Sequence, residues 1–171
     1  WYYFLVEAPR YLFMDFVVLI FYFINKRLKR KKWADAKRRF FEERPLVSVI
    51  IPGKNEGKHI YKLARSLNEQ TYKNFELIIV DDGSDDDTPI ICKDLQKHGF
   101  IDLFLRNDVR GGKASAANLA LRYTKGKYII HFDADCSFNR DAIENVLTPF
   151  YYNSKIGAVG GNLEVRNTNE S

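Results

Sequence analysis

Cysteine is scarce in this sequence, which has only Cys92 and Cys136 among its 171 residues. A disulfide-stapled secreted domain carries several cysteines at paired spacings, and a structural zinc site usually draws ligands from short Cys-x-x-Cys groups. Neither pattern occurs in this chain. We therefore expect two reduced thiols in a cytosolic compartment.

Two familiar phosphate-binding fingerprints are also missing. No Gly-x-Gly-x-x-Gly follows the first predicted strand, which disfavours a dinucleotide enzyme of the plain Rossmann type. The run Arg110-Gly111-Gly112-Lys113 lacks the glycine spacing and the Lys-Ser/Thr ending of the nucleoside-triphosphatase loop. Internal repeats and low-complexity segments do not occur either, so a repeat architecture is excluded.

Positive charge is concentrated in one segment. Residues 26–44 contain ten Lys or Arg and three Asp or Glu, whereas the whole chain carries a formal net charge of +5. The remainder is therefore close to neutral. Because a nucleic-acid-binding domain usually presents a basic face, we expect no nucleic-acid partner.

An apolar, aromatic segment occupies residues 1–25. A bilayer-spanning helix needs roughly 20 apolar residues, and Glu7, Pro9, Arg10 and Asp15 interrupt this segment. The basic residues that follow are typical of a helix leaving a membrane on its cytoplasmic side. We expect a transmembrane or membrane-associated helix in the cell (inner or plasma) membrane, with a cytoplasmic catalytic domain. The alternative is a soluble core helix with a basic tail.

Residues 26–44 are predicted to form a basic linker helix, with Trp33, Ala36, Phe40 and Phe41 near helical spacing. Such a helix can lie on an anionic membrane surface as an interfacial helix. A solvated linker helix explains the same pattern equally well. Pro45 marks the predicted start of the next domain, residues 45–171.

That domain alternates predicted strands and helices. Strands are predicted at 46–51, 75–80, 101–105, 128–132 and 156–160, and helices at 58–68, 88–97, 113–123 and 141–152. Alternation of this kind is typical of an α/β fold, a Rossmann-like three-layer α/β/α arrangement with a mostly parallel sheet. The polar residues 167–171 do not complete a predicted helix or strand, so we expect this sequence to be part of a longer protein.

Two carboxylates, Asp133 and Asp135, directly follow the predicted strand at 128–132. Ligands of open parallel sheets bind at the carboxyl ends of the strands. A pair of carboxylates there suits a hard divalent cation, which one or two carboxylates and substrate phosphates hold together. The sequence thus points to Mg²⁺ or Mn²⁺ and a nucleoside diphosphate. His131, inside the strand, is expected in the core.

Three other polar loops fall at the same predicted edge. Glu56 and Asp82 follow the first and second strands, and Gly111-Gly112-Lys113 precedes the third helix, where a phosphate is favoured. Each loop alone has an ordinary interpretation as a turn, a helix cap or a flexible loop. Their placement on one edge is what favours a binding site.

The chain resembles family 2 glycosyltransferases, which have the GT-A fold. The matching residues are Val47-Ser48-Val49-Ile50-Ile51-Pro52 with Asn55-Glu56, Ile79-Val80-Asp81-Asp82-Gly83-Ser84, Gly112-Lys113-Ala114-Ser115-Ala116-Ala117-Asn118, and Phe132-Asp133-Ala134-Asp135. The stretch Ile156-Gly157-Ala158-Val159-Gly160-Gly161-Asn162 is most similar to the membrane-embedded processive synthases of cellulose, chitin, hyaluronan and poly-N-acetylglucosamine. The likeness covers the donor-binding half of such enzymes.

The resemblance implies roles for individual residues. Asp82 would bind the uracil or ribose side of a UDP-sugar, and Pro52 and Glu56 would line the nucleoside pocket. Lys113 would approach the diphosphate. Asp135 would ligate the metal, and Asp133 would contact the ribose or the metal shell. Many relatives have an aromatic residue where this chain has Lys54, so base stacking at that position is not expected.

The resemblance also implies an activity. The chain would belong to an inverting, metal-dependent enzyme that uses a UDP-sugar of the glucose or N-acetylglucosamine type to build a β-linked extracellular polysaccharide. Its partners would be a glycan or lipid-linked acceptor, the membrane and possible other synthase subunits. The general base is expected downstream of residue 171. The alternatives are an enzyme that loads one sugar onto a polyprenyl phosphate and a non-catalytic sugar-nucleotide-binding module.

Overall fold

The structure, a computed structural model, describes residues 1–161. A π-helical turn at Tyr3–Glu7 continues without a break into the helix α1 (Ala8–Glu43). Arg44 then takes a left-handed conformation with φ of 47°, and Pro45 cannot extend a helix. One helix therefore runs through both predicted N-terminal segments and ends at the predicted domain start.

The chain then alternates strands and helices, as the sequence predicts. The elements are β1 Val47–Gly53, α2 Gly57–Asn68, β2 Phe75–Asp81, α3 Thr88–Lys97, β3 Leu103–Arg106, α4 Lys113–Leu121, β4 Tyr128–His131 and α5 Ala142–Tyr152. The first strand extends beyond its predicted end: Pro52 pairs in register with Val80 and Gly53 pairs with Asp81.

The four strands form one parallel sheet in the order β3-β2-β1-β4. Helices α2, α3 and α5 and the C-terminal half of α1 pack on one face, around residues such as Ile51, Leu63, Ile79 and Leu147. Helix α4 covers the other face, where the small residues Ala116 and Ala120 approach Ile50, Ile78 and Val80. This is the predicted three-layer α/β/α arrangement.

Two sequence predictions about the end of the sheet are wrong. Residues 156–160 form no strand, and within residues 1–161 they have no ladder partner. β4 is therefore an edge strand of the described sheet. His131 lies on the same face of β4 as Ile129, and both are exposed rather than in the core. The predicted match at Asn162 and the polar residues 167–171 lie outside the described residues.

The C-terminal half of α1 is anchored on α5. Ala36 and Phe40 are fully buried, and the Phe40 ring lies 4.5 Å from that of Tyr72 and 5.7 Å from that of Tyr151. Lys37 Nζ donates a 2.5 Å hydrogen bond to Glu144 Oε1. This half of α1 contributes to the core that supports the sheet.

The N-terminal half of α1 makes no comparable contacts. Its apolar side chains are exposed, including Phe13 (67%), Phe21 (62%) and Phe23 (62%). Within residues 1–161, no helix combines the length and the hydropathy that crossing a bilayer requires. The predicted N-terminal helix is thus present, but the structure shows no transmembrane span in it.

Candidate functional site

Four loops meet at the carboxyl edge of the sheet, because all four strands run parallel. They follow β1 (residues 54–56), β2 (residues 82–87), β3 (residues 107–112) and β4 (residues 132–141). This is the edge at which open α/β sheets bind their ligands. The prediction that four polar loops share one edge is therefore confirmed.

The loops after β1 and β2 are held together by hydrogen bonds. The Asn55 backbone N–H donates to Ser84 Oγ at 2.8 Å, and the Asp85 N–H donates to Asn55 Oδ1 at 2.9 Å. Asn55 adopts φ of 60°, a left-handed conformation that asparagine tolerates better than most residues. Asn55 thus fixes the spacing between these two loops.

A single carboxylate caps two helices in the same region. Asp86 Oδ2 accepts a 3.3 Å hydrogen bond from the N–H of Gly57, the first residue of α2, and Oδ1 accepts a 3.0 Å bond from the N–H of Thr88, which begins α3. Burial raises the pKa of Asp86, but the nearby Thr88 side chain and these backbone bonds outweigh burial, so the pKa lies below its usual value. Asp86 therefore has a structural role.

Asp81 also has a structural role. It is 1% exposed, and its Oδ1 accepts a 3.0 Å hydrogen bond from the Ser84 N–H. Arg106 Nε lies 3.4 Å from Oδ2, the other oxygen. Asp81 thus holds the turn after β2 and its contact with the end of β3.

Asp82, predicted to bind the nucleoside, holds the loop after β3. It accepts hydrogen bonds from the Gly111 N–H at 2.9 Å, the Gly112 N–H at 2.7 Å and Asn107 Nδ2 at 2.9 Å. The Asn107 amide, then the Gly111 N–H, lower the pKa of Asp82. The Asp82 carboxylate is thus ionised and satisfied by the protein, and its contact with a nucleoside stays a prediction.

The two glycines of this loop are required by its geometry. A Cβ on Gly111 would lie 2.5 Å from Ser115 Oγ, and Gly112 has φ of 85°, which side chains rarely tolerate. Gly112 is the N-cap of α4, and no side chain in residues 1–161 caps that helix. The first-turn N–H groups of α4 therefore face outward, as in helix N-termini that bind phosphate.

The acidic residues after β4 lie beside this helix start. Lys113, the first residue of α4, donates a hydrogen bond from Nζ to Asp133 Oδ1. Asp135 is exposed, and the Cys136 thiol lies 3.5 Å from its Oδ1. The structure thus brings Lys113 against Asp133, and Asp135 lies two residues further along the same loop.

Glu56 joins the same group of charges. Burial raises its pKa; neighbouring His59 lowers it, while Asp135, Asp86 and Asp133 raise it further. Glu56 is close to the acidic loop, since a Cβ built on Gly53 would lie 2.9 Å from Glu56 Cγ and 3.4 Å from Ala134 Cβ. An acidic concentration of this kind favours an incoming cation.

The donor atoms in this group fit a hard cation only partly. Carboxylate oxygens of Asp133 and Asp135 are suitable ligands for Mg²⁺ or Mn²⁺. No cluster of three or more His, Cys, Asp or Glu side chains in residues 1–161 could hold a metal ion by itself. Asp133 and Asp135 match the type of site in which one or two carboxylates and the substrate phosphates hold the cation together.

Pro52 is the predicted site residue that differs most from this charged group, because its side chain is apolar. It is buried within β1, in register with Val80, and contributes no polar atom. Sequence reasoning missed Asn107 altogether. The signal available was its position one residue after β3, at the edge where the other polar loops lie.

Comparisons with known proteins agree with this geometry. The family model "Glycosyl transferase family 2" matches residues 48–170. The beta-monoglucosyldiacylglycerol synthase of Trichormus variabilis is 37% identical over 131 residues, which cover 74% of this chain and 28% of the relative. The poly-beta-1,6-N-acetyl-D-glucosamine synthase of Staphylococcus epidermidis is 33% identical over 124 residues, covering 71% of this chain and 29% of the relative. The chain thus spans less than a third of either relative.

Two solved structures resemble the fold. The mannosyltransferase PcManGT from Pyrobaculum calidifontis, in complex with GDP-Man and Mn²⁺, matches with a TM-score of 0.58 and 26% identity over 72% of this chain and 42% of its own. S. aureus TarS 1-349, in complex with UDP-GlcNAc, matches with a TM-score of 0.55 and 28% identity over 61% of this chain and 30% of its own.

Proposed function

The chain belongs to glycosyltransferase family 2, and from that premise we propose that it binds a UDP-sugar and carries the leaving-group side of an inverting sugar transfer. It is a glycosyltransferase with a parallel, three-layer GT-A fold. The observation that carries the proposal is the hydrogen bond from Lys113, at the uncapped start of α4, to Asp133, which lies two residues before Asp135 in the same loop.

The donor's diphosphate fits the start of α4. The outward-facing N–H groups of the first turn and the ammonium group of Lys113 both favour an anion. Asp82 fixes these groups in place through the backbone of Gly111 and Gly112. Support for a nucleotide-sugar donor also comes from the structures of TarS in complex with UDP-GlcNAc and PcManGT in complex with GDP-Man.

Divalent metal dependence is part of the proposal. Asp135 and Asp133 would hold Mg²⁺ or Mn²⁺, and the cation would supply positive charge that stabilises the departing UDP. The structure of the mannosyltransferase PcManGT in complex with GDP-Man and Mn²⁺ supports this choice of cofactor.

The remaining steps concern the acceptor. A base removes the proton of an acceptor hydroxyl, and the oxygen attacks the anomeric carbon as the bond to UDP breaks. We assign no residue in 1–161 to that base. This part of the chain contributes by positioning the donor and stabilising the charge of the leaving group.

For the whole protein we propose a membrane-bound enzyme that uses UDP-glucose or UDP-N-acetylglucosamine to make a β-linked extracellular polysaccharide. The poly-N-acetylglucosamine synthase relative supports a polymer product. The exposed apolar half of α1 and the basic residues after it support a position at the cell membrane, with the catalytic domain on the cytoplasmic side.

A second candidate is a single transfer to a lipid acceptor, such as a diacylglycerol or a polyprenyl phosphate. The observation that favours it is the glucosyldiacylglycerol synthase relative, which covers slightly more of this chain than the polymer synthase does. Incubating the full-length protein in membranes with radiolabelled UDP-sugar separates the two, since polymer stays at the origin of a chromatogram and glycolipid migrates. UDP binding without either product would instead indicate a non-catalytic sensor.

A further inference from the structure

Lys113 and Asp133 form an ion pair between the helix start proposed to face the diphosphate and the loop proposed to face the metal. Nζ of Lys113 donates to Asp133 Oδ1, and the two side chains are 57% and 51% exposed. The backbone position of Lys113 is fixed by the structure around it. It starts α4 directly after Gly111 and Gly112, whose N–H groups Asp82 holds.

The acidic loop has little other positive charge to balance it. Within residues 1–161, Lys113 is the only hydrogen-bond donor to the Asp133 carboxylate, and Asp135 contacts only the Cys136 thiol. Glu56 adds a third carboxylate nearby, and the raised pKa of Glu56, caused first by burial and also by Asp135 and Asp133, reflects that crowding. The Lys113 ammonium group thus lies where a divalent cation would also reduce the repulsion between these carboxylates.

We propose that Lys113 is a placeholder cation, which neutralises Asp133 in the donor-free protein and moves to the diphosphate when a divalent cation arrives with the donor. The inference rests on the proposed function, because it concerns the same site. It gives Asp133 a positively charged partner before a metal binds. Lys113 would then compete with the free divalent cation for Asp133, and it would bind the diphosphate of the nucleotide.

The two roles predict opposite effects of one substitution. Lys113→Gln keeps a polar side chain, one atom shorter than lysine, but removes the charge. An exposed ion pair contributes little to stability, so the variant should fold normally. Mn²⁺ alone should bind the variant more tightly, since the competing ammonium is gone, whereas UDP in the presence of Mn²⁺ should bind more weakly because a phosphate partner is lost. A merely structural lysine would not shift the two affinities in opposite directions.

The test measures Mn²⁺ binding to the full chain without nucleotide, by water-proton relaxation, and UDP binding at fixed Mn²⁺ by calorimetry. We expect Lys113→Gln to tighten Mn²⁺ binding by about 1.5- to fivefold, the range that an exposed ion pair supports. UDP binding should weaken by about threefold or more, the loss expected for one charge-assisted contact. Lys113→Arg should keep wild-type Mn²⁺ affinity, and Lys97→Gln, an exposed lysine on the last turn of α3, controls for net charge.

Mn²⁺ affinity that is unchanged or weaker in Lys113→Gln would overturn the placeholder role, even if UDP binding falls. An equal gain in Lys97→Gln would also overturn it, because the effect would then be one of net charge. The proposed function is judged separately, by whether the wild-type chain binds UDP at all in the presence of Mn²⁺.

Discussion

The side-chain amide of Asn107 lies 2.9 Å from the carboxylate of Asp82 and donates a hydrogen bond to it. Asp82 in turn accepts the N–H groups of Gly111 and Gly112, so Asn107 helps to fix the loop that begins α4. The loop that should receive a diphosphate, residues 107–112, is therefore held at both of its ends by Asp82, which follows the neighbouring strand β2.

Replacing Asn107 with Ala should loosen this loop without touching a ligand group. Loss of one hydrogen bond to a charged acceptor costs about 1 to 3 kcal/mol, and part of that cost should appear as weaker UDP binding. Calorimetric titration and thermal unfolding of Asn107→Ala would measure both. Asp108→Ala is the control in the same loop, because its side chain is exposed and makes no hydrogen bond in residues 1–161. Equal losses in the two variants would contradict this role of Asn107.

The same contacts predict a pH dependence of stability. Hydrogen bonds from Asn107, Gly111 and Gly112 lower the pKa of Asp82 in the folded state. A carboxylate with a lowered folded pKa stabilises the protein above its unfolded pKa, near 4, and this contribution is lost as pH falls through the folded value. Asp82→Asn should therefore be less stable than wild type at pH 7, and the difference should shrink towards pH 3.

Urea unfolding of wild type and Asp82→Asn between pH 7 and pH 3 checks this prediction. Asp87→Asn, an exposed aspartate at the start of α3 without a side-chain cap bond, should show no such trend. A stability difference that stays constant or grows in acid would contradict the role given to Asp82.

The C-terminal half of α1 should contribute to the stability of the domain, whereas the N-terminal half should not. Phe40 is fully buried against Tyr72 and Tyr151, and truncating such a residue costs about 3 to 5 kcal/mol. Phe40→Ala should therefore lower the unfolding free energy strongly. Phe21→Ala, at a position 62% exposed, is the matched control and should leave it nearly unchanged.

Much of this fold could be predicted from the sequence because its signals are local. Apolar runs and helical periodicity identified four strands and the four helices of the domain within a few residues. The strand predicted at residues 156–160 was wrong, since a strand exists only with a ladder partner, and an apolar run does not reveal one. The prediction of a core position for His131 was also wrong. His131 and Ile129 lie on one exposed face of β4, and an apolar strand pattern does not reveal which face a helix covers.

The candidate site was predictable as a set of residues but not as a set of contacts. Lys113 and Asp133 meet as the parallel sheet implies. The sequence could not show that Asp81 and Asp86 accept hydrogen bonds from backbone N–H groups, or that Asp82 holds a loop 29 residues further along the chain. Such bonds depend on which loop lies beside which, and strand order fixes that.

The exposed half of α1 should bind lipid. Phe13, Phe21 and Phe23 would insert between acyl chains, and the basic residues from Lys26 to Lys32 would contact anionic headgroups. Cosedimentation should show the chain with vesicles containing phosphatidylglycerol. Phe21→Ala combined with Phe13→Ala should reduce binding several-fold, and raising salt should weaken it. Equal binding of a variant with Lys29, Arg30 and Lys31 changed to Gln would contradict the headgroup contact.

The central claim is that a divalent cation joins the acidic loop after β4 to the diphosphate of UDP. The most direct measurement is calorimetric titration of UDP into the chain with and without Mn²⁺, on wild type, Asp135→Ala and the exposed control Asp87→Ala. We predict that Mn²⁺ strengthens UDP binding at least tenfold in wild type and Asp87→Ala, and that Asp135→Ala loses this gain. Binding of UDP that is independent of Mn²⁺, or equally Mn²⁺-dependent in Asp135→Ala, would contradict the claim.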